Sequence, residues 1–500
     1  MKAHLLHRDR DLAAEPALPR NEAELTQDLE LGILLDAMAG GDEYLYAAAG
    51  QTLLTSLTDA EAIAYRQAIL QDCIAQPAVV RQIYAIAVEA ASAERSVAFS
   101  FVRYPAGILR RSIRLLDLLV PLLRQLRALA GTEGDSFGSE GLTTLCAMLR
   151  HELDDEYFAE LDEHLRRLRF RGGLMMSAVL GDGNKGIRHV LRTPLARTAG
   201  WKERFGIGRP PSHSFQIHPR DEAGARALSE LNDRGVNLVA NALAQSTDHV
   251  LSFFVMLRRE LGFYVSCLNL HDRLAERGEP VCVPAPLPVR PHCLVAQGIY
   301  DVSLALQLDG PVVGNTVDAT GLPLVMITGA NSGGKSTFLR SVGLAQLMMQ
   351  CGMFVGAESF SSSLCMGTFT HFIREEDATM TSGRLDEELR RMSSIVDELA
   401  PDCLVLMNES FSSTTEREGS EIGRQVIAAL LDCHVRVICV THLFTLASDC
   451  HDQMGEKAIF LRAERQADGR RTFKLVEGAP LSTSHGEDLY ERVFAESPRP

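Results

Sequence analysis

No C-x-x-C pair occurs among the 11 cysteines of this 500-residue chain, so neither a zinc ribbon nor a disulfide framework is expected. Free thiols in a reducing compartment fit that usage, and the expected location is cytoplasmic. Basic excess is also lacking. Lys and Arg number 50 against 65 Asp and Glu, a formal net charge of −15 with a pI near 5.5. Such a chain does not coat nucleic acid or anionic membrane indiscriminately, and contact with either requires a local basic region. Long apolar runs are missing. The most apolar stretch, Leu115 to Leu123, is broken by Asp117 and Pro121, and the amino terminus mixes His4, His7, Arg8, Asp9 and Arg10 with short apolar pieces. Neither a membrane span nor a signal peptide is expected. Internal repeats and long low-complexity segments are absent from the sequence as well.

What is present is an ordinary globular composition, 46% apolar and 23% charged, at a length that suits two or three domains. After a tail over residues 1–21, helical periodicity begins near Glu22 and runs to Leu168; Leu161, Leu165 and Leu168 share one face. At Gly172 to Gly183 an apolar run ends in a turn cluster, which predicts a short β insertion among helices. The helical pattern returns near Glu222 and ends at Glu279, before the proline series Pro280, Pro284, Pro286, Pro288 and Pro291. Beyond it, apolar runs at Leu324 to Ile327, Leu404 to Met407 and Val435 to Val440 alternate with amphipathic stretches, the rhythm of an α/β domain. The expected organisation is a mainly helical domain over 22–280, with a basic insertion around 166–209, and an α/β domain over 281–500.

The most specific feature lies in that second part. Gly329-Ala330-Asn331-Ser332-Gly333-Gly334-Lys335-Ser336-Thr337 satisfies G-x-x-x-x-G-K-[ST] between an apolar strand and an amphipathic helix. Gly329, Gly333 and Gly334 let the backbone fold so that its N–H groups face phosphate oxygens at a helix N-terminus. Lys335 supplies a cation for the β- and γ-phosphates, and Ser336 a hydroxyl for Mg²⁺. Leu404 to Met407 followed by Asn408-Glu409 reads as a neighbouring strand ending in polar residues, with Glu409 placed to orient or deprotonate a water. Thr441-His442, after a third strand, puts a histidine within reach of a γ-phosphate.

These segments together resemble the MutS mismatch-repair family: Ile327 to Arg340 its nucleotide loop, Leu404 to Glu409 its Walker B strand, and Val440-Thr441-His442 its switch histidine. Ser382-Gly383-Arg384 is similar to the start of the family's signature region, and Ser484-His485-Gly486 follows a hairpin expected over Ala458 to Val476. The resemblance implies an ABC-type P-loop ATPase domain behind a helical lever domain. It implies a homodimer that sandwiches two ATP molecules with Mg²⁺. Asn331, Lys335, Ser336 and Thr337 would contact phosphate, Ser336, Asn408 and Glu409 would hold the metal, Glu409 would be the catalytic carboxylate and His442 the γ-phosphate sensor. Ser382 and Gly383 would reach the partner's nucleotide. Where the family has an aspartate, this chain has Asn408, which implies a slow or Mg²⁺-demanding enzyme. Phe158-Ala159-Glu160 and Phe494-Ala495-Glu496 match the family's mismatch wedge only in composition, so a reduced form without a mismatch-reading domain is expected.

DNA is the expected partner, through a local reversal of charge. From 166 to 209 the chain carries Arg166, Arg167, Arg169, Arg171, Lys185, Arg188, Arg192, Arg197, Lys202, Arg204 and Arg209 against Asp182 and Glu203. Lys185, Arg188, Arg192 and Arg197 are the candidate phosphate contacts. The same charges can instead pair with acidic helices such as Glu152 to Glu163, and Trp201 can anchor a loop rather than stack on a base. Two other functions stay open: a nucleotide-switched scaffold that binds protein, and a weakly hydrolysing ATP-binding module.

Overall fold

The computed structural model describes residues 1–12, 17–97, 104–171, 173–192, 214, 216–330, 332–374, 383–466 and 471–481. The chain divides into two compact units. One comprises Met1–Ala3, Arg81–Ser136 and Thr143–Arg258; the other comprises His4–Val80, Phe137–Leu142 and Arg259–Pro500. Among the described residues no helix is long and apolar enough to cross a membrane. All 11 cysteines are unpaired.

The first unit is helical with one hairpin. Helix Pro105–Glu133 starts with proline in its first turn, where no N–H is needed, and buries Leu109, Ile113, Leu116, Val120 and Leu123 along one stripe. Asp154 caps helix Asp155–Leu168 by accepting from the Tyr157 N–H at 2.7 Å. The β insertion is an antiparallel pair, Met176–Leu180 with Gly186–Leu191. Residues 222–258 of this unit are helical, part of helix Glu222–Glu276.

The second unit holds two sheets behind four helices, Glu22–Asp28, Leu31–Ala39, Glu43–Leu54 and Ala60–Ala75. Beside the expected parallel sheet there is a smaller one of four strands, in the order Ala285–Leu287, Ser359–Ser363, Leu294–Ile299, Asn315–Asp318. Its strands are three to six residues long and partly antiparallel, so they need no crossover helices and leave little periodicity to read.

The larger sheet carries the sequence motifs. Its strands are β1 (Leu324–Thr328), β2 (Thr368–Phe372), β3 (Leu404–Asn408), β4 (Arg436–Val440), β5 (Ala458–Arg465) and β6 (Arg471–Glu477). The spatial order is β6-β5-β1-β4-β3-β2, parallel throughout except for the β5–β6 hairpin. Every residue of β1, β2 and β4 is buried, as befits strands covered on both faces. On one face Met326, Val405, Met407, Val437 and Phe460 pack with residues of three helices: α2 (Arg384–Glu398), α3 (Glu416–Asp432) and α4 (Phe444–Met454). The alternate residues face α1 (Lys335–Gln350). There Gly343 permits close packing, since a Cβ on it would lie 2.6 Å from Leu406 Cδ1 and 2.7 Å from Leu29 Cδ2. Carboxyl ends of adjacent parallel strands therefore open on one edge, where crevices of open α/β sheets form.

Candidate functional site

Gly329 to Thr337 makes the turn from β1 into α1. Gly329 has φ 110° and Gly334, the residue before the first helical turn, φ 90°. Both values lie in the left-handed region that a side chain disfavours. Space is equally restrictive: a Cβ on Gly329 would lie 2.8 Å from the Ala463 backbone nitrogen, and one on Gly333 2.6 Å from Ala463 Cβ. Strand β5 thus forms a wall behind the loop.

Lys335 is buried, and its ammonium donates to the carbonyl oxygens of Gly329 and Ala330, each at 2.9 Å. Burial pulls this lysine below its ordinary range; the Glu409 carboxylate opposes the shift and Arg471 adds to it. Ser336 Oγ donates to Asn408 Oδ1 at 2.9 Å, which ties the first turn of α1 to the end of β3. Glu409 follows with a left-handed φ of 54°, its N–H bound to the Val440 carbonyl at 2.8 Å. His442 Nδ1 lies 3.8 Å from Glu409 Oε2. Ser332 to Thr337, Glu409 and His442 line a cavity of about 350 Å³.

The structure therefore brings Gly329, Gly333, Gly334, Lys335, Ser336, Thr337, Asn408, Glu409 and His442 to one edge of the sheet. Asn331 and Ser382 lie outside the described residues; Gly383 is exposed and precedes α2. Lys185, Arg188 and Arg192 are exposed on the hairpin of the first unit, and Arg192 Nε donates to Ser177 Oγ at 2.8 Å. Arg197, Trp201, Lys202, Arg204 and Arg209 fall outside the described residues. The helical start of the basic run is paired rather than free: Arg166 and Arg167 bind Glu163, and Arg169 binds Asp117. Arg166 and Arg167 thus pair one turn back on their own helix, Asp155–Leu168, and Arg169 pairs with helix Pro105–Glu133.

Sequence reasoning missed three residues here. His371, in the middle of buried β2, has Nδ1 2.7 Å from Ser410 Oγ and Nε2 3.0 Å from the Glu388 carbonyl oxygen. Burial presses its pKa down to about 4, so the ring is neutral and donates from Nε2 to Glu388. The Glu388 carboxylate accepts from the Phe411 N–H and the Ser413 hydroxyl. A polar residue inside an otherwise apolar strand was the available signal for His371; nothing in spacing marks Glu388 or Ser410.

Comparison with known proteins bears on the same segments. Residues 58–277 match the family model described as MutS2 N-terminal domain, and residues 325–494 match MutS domain V. The chain belongs to the MutS family. Endonuclease MutS2 of Thermus thermophilus is 31% identical over 157 residues, 31% of this chain and 21% of that protein. The DNA mismatch repair protein MutS of Thermus aquaticus is 31% identical over 166 residues, 33% of this chain and 20% of the relative. MutS protein homolog 4 of Mus musculus is 29% identical over 157 residues, 31% of this chain and 16% of its own length. The matched stretch thus spans about a fifth of these MutS proteins. Within the MutS frame, domain V holds the whole cavity edge from β1 to β6, while the helical match begins inside the segment preceding helix Ala60–Ala75.

The buried imidazole fixes a pH dependence. An unfolded His371 titrates near 6.5, the folded one near 4, so between these values the unfolded chain binds the extra proton and stability rises with pH. Replacing His371 by Asn should flatten this dependence by about 1.4 kcal/mol per pH unit. Urea denaturation of both proteins at pH 5 and pH 7.5 checks it. Parallel pH dependences would show that His371 titrates alike in the folded and unfolded chain.

Proposed function

We propose that the chain is an ABC-type P-loop ATPase of the MutS kind, which binds ATP with Mg²⁺ and couples nucleotide state in a homodimer to contact with DNA. The observation that supports it most is the convergence of Lys335, Ser336, Asn408, Glu409 and His442 on one small cavity at the carboxyl ends of β1, β3 and β4. A desolvated ammonium turned onto its own loop carbonyls fits a site made for anionic oxygens, since phosphate offers stronger charge-assisted acceptors than those carbonyls. The hydroxyl, amide and carboxylate oxygens of Ser336, Asn408 and Glu409 are hard donors that suit Mg²⁺. Among the described residues no group of three or more His, Cys, Asp or Glu could hold a metal, which fits an ion held chiefly through substrate phosphates. When bound, Mg²⁺ would neutralise charge on the phosphates.

The protein's own groups then have separate tasks. Loop N–H groups at the start of α1 and Lys335 hold the phosphates. Glu409 accepts a hydrogen bond from the attacking water and orients it, and His442, 3.8 Å from that carboxylate, contacts the γ-phosphate side. Gly383 and Ser382 reach the nucleotide of a second subunit. Relatives named for mismatch repair support DNA as the partner. So does the hairpin of the first unit, where Lys185, Arg188 and Arg192 are exposed.

Asn408 supplies an acceptor without a charge, so its hold on the metal's water shell is weaker than a carboxylate's. Asn408→Asp should lower the Mg²⁺ concentration for half-maximal hydrolysis, whereas Glu409→Gln should suppress hydrolysis and keep ATP binding. Steady-state ATPase against Mg²⁺ in the three proteins decides it. An unshifted midpoint in Asn408→Asp would show that the charge comes from elsewhere, and full activity in Glu409→Gln would remove that residue from the chemistry.

For the coupled function, light scattering of Glu409→Gln with ATP should report a dimer, and that species should bind linear or branched DNA in a salt-sensitive manner. Reversing charge at Arg188, Arg192 and Arg197 should weaken binding and reduce the log–log salt slope by about 0.9 for each DNA phosphate that is no longer neutralised. A monomer under every nucleotide condition, or equal DNA affinity in the triple variant, contradicts this coupling.

A further inference from the structure

The loop that presents Glu409 leaves β3 in an unusual conformation. Glu409 and Phe411 both have left-handed backbone, φ 54° and φ 62°, and neither is glycine. Residues in that region persist only where surrounding contacts over-determine them. The contacts are specific. The Glu409 N–H is held by the Val440 carbonyl, Ser410 by His371, and the Ser412 hydroxyl donates to the Glu409 carbonyl at 2.7 Å. The remaining two, the Phe411 N–H and the Ser413 hydroxyl, both donate to Glu388. The Phe411 ring, fully buried, lies 5.3 Å from that of His371, so the loop cannot swing without breaking a packed core.

Glu388 belongs to neither the loop nor its strands. It sits in α2, just over one turn beyond Gly383, is 5% exposed, and is not part of the cavity lining. A carboxylate suits its task because it has two acceptor oxygens and no donor, matching two partners that both donate to it. The same residue is bound at its backbone, where its carbonyl takes the His371 Nε2–H at 3.0 Å. One residue of α2 thus holds the loop directly at Phe411 and Ser413 and, through His371, at Ser410.

We propose that Glu388 is a positioning residue that sets the direction of the Glu409 carboxylate and makes it depend on the placement of α2. The proposal rests on the nucleotide-site reading above and adds a means of regulation to it. The exposed start of α2, at Gly383, is the end read as reaching the nucleotide of a second subunit. A shift of α2 on closure of the dimer is carried to Glu409 through two hydrogen bonds, so hydrolysis in one site responds to occupancy of the other.

The test uses the full chain with Glu388→Ala, Ser413→Ala and the double variant, and reads hydrogen exchange as well as catalysis. Ala at 388 removes both acceptor oxygens and keeps the backbone carbonyl that binds His371. Exchange at the Phe411 amide, followed in a peptide spanning residues 404–416 without nucleotide, should accelerate about tenfold. The kcat for ATP should fall about tenfold, because a small misplacement of the reacting carboxylate is costly, while nucleotide Kd stays within about twofold. The double variant should lose little more than Glu388→Ala alone. Unchanged exchange or unchanged kcat in folded Glu388→Ala overturns the proposal, as does a loss of kcat matched by equal losses in nucleotide affinity and thermal midpoint. Where Glu388→Ala does not fold, Ser413→Ala carries the same readouts, with an expected loss of about threefold. If the wild-type chain shows no hydrolysis that Glu409→Gln removes, the site reading fails, and the exchange arm alone decides whether Glu388 holds the loop.

Discussion

Strand β5 lies so close to the turn after β1 that a side chain has no place between them, and the candidate site depends on this closeness. With Ala463 behind Gly329 and Gly333, the backbone is forced to curl toward the open edge of the sheet. That curl presents the N-terminus of α1 and its N–H groups, and it brings Ser336 within hydrogen-bonding distance of Asn408 two strands away in the sheet. A larger residue at 329, 333 or 463 would push the loop outward and separate these groups. The chemistry is thus held by a packing constraint before any charge acts.

A second set of contacts fastens the first helices of the same unit to the elements that carry the site. The corner between helices Glu22–Asp28 and Leu31–Ala39 touches two of them. Arg340 of α1 binds both Glu30 and Asp301, Arg391 of α2 lies 3.5 Å from Asp28, and Leu29, fully buried, packs over Gly343. Burial raises the carboxyl groups of Asp28 and Asp301, and the arginines oppose it. Paired charges in such surroundings are costly to separate, so the corner moves with α1 and α2 rather than independently of them. Arg436 does a similar task between sheets: buried, it donates to the Cys293 carbonyl at 2.9 Å, to Ser362 Oγ at 3.0 Å and to Gln346 Oε1 at 3.1 Å.

Legibility in the sequence followed locality. The strand Leu324–Thr328, the loop into Lys335 and the strand ending at Asn408 could be read because an apolar run, a glycine pattern and a helix start follow one another within a few residues. Helix Glu222–Glu276 was equally plain, since its apolar positions repeat over many turns. The small four-stranded sheet was not, because strands as short as Ala285–Leu287 carry too few residues to show alternation. Glu388 was hidden for a different reason: its partners Phe411 and Ser413 stand 23 and 25 residues away, and an acidic residue in an amphipathic helix looks solvated until the loop is packed onto it. Charge counting could not decide whether Arg166, Arg167 and Arg169 are free, and the fold pairs them with Glu163 and Asp117.

All of this turns on whether the curl beside β5 is a nucleotide site, and one measurement addresses it directly. Among the described residues the Lys335 ammonium hydrogen-bonds two carbonyls of its own loop, so Lys335→Ala should fold normally. Equilibrium binding of a fluorescent ATP analogue in the presence of Mg²⁺, with circular dichroism as the control for folding, should show saturable binding to the native chain. In Lys335→Ala that binding should be lost, because a methyl group cannot replace a charge-assisted donor to phosphate. Undiminished affinity in a well-folded Lys335→Ala would contradict the account.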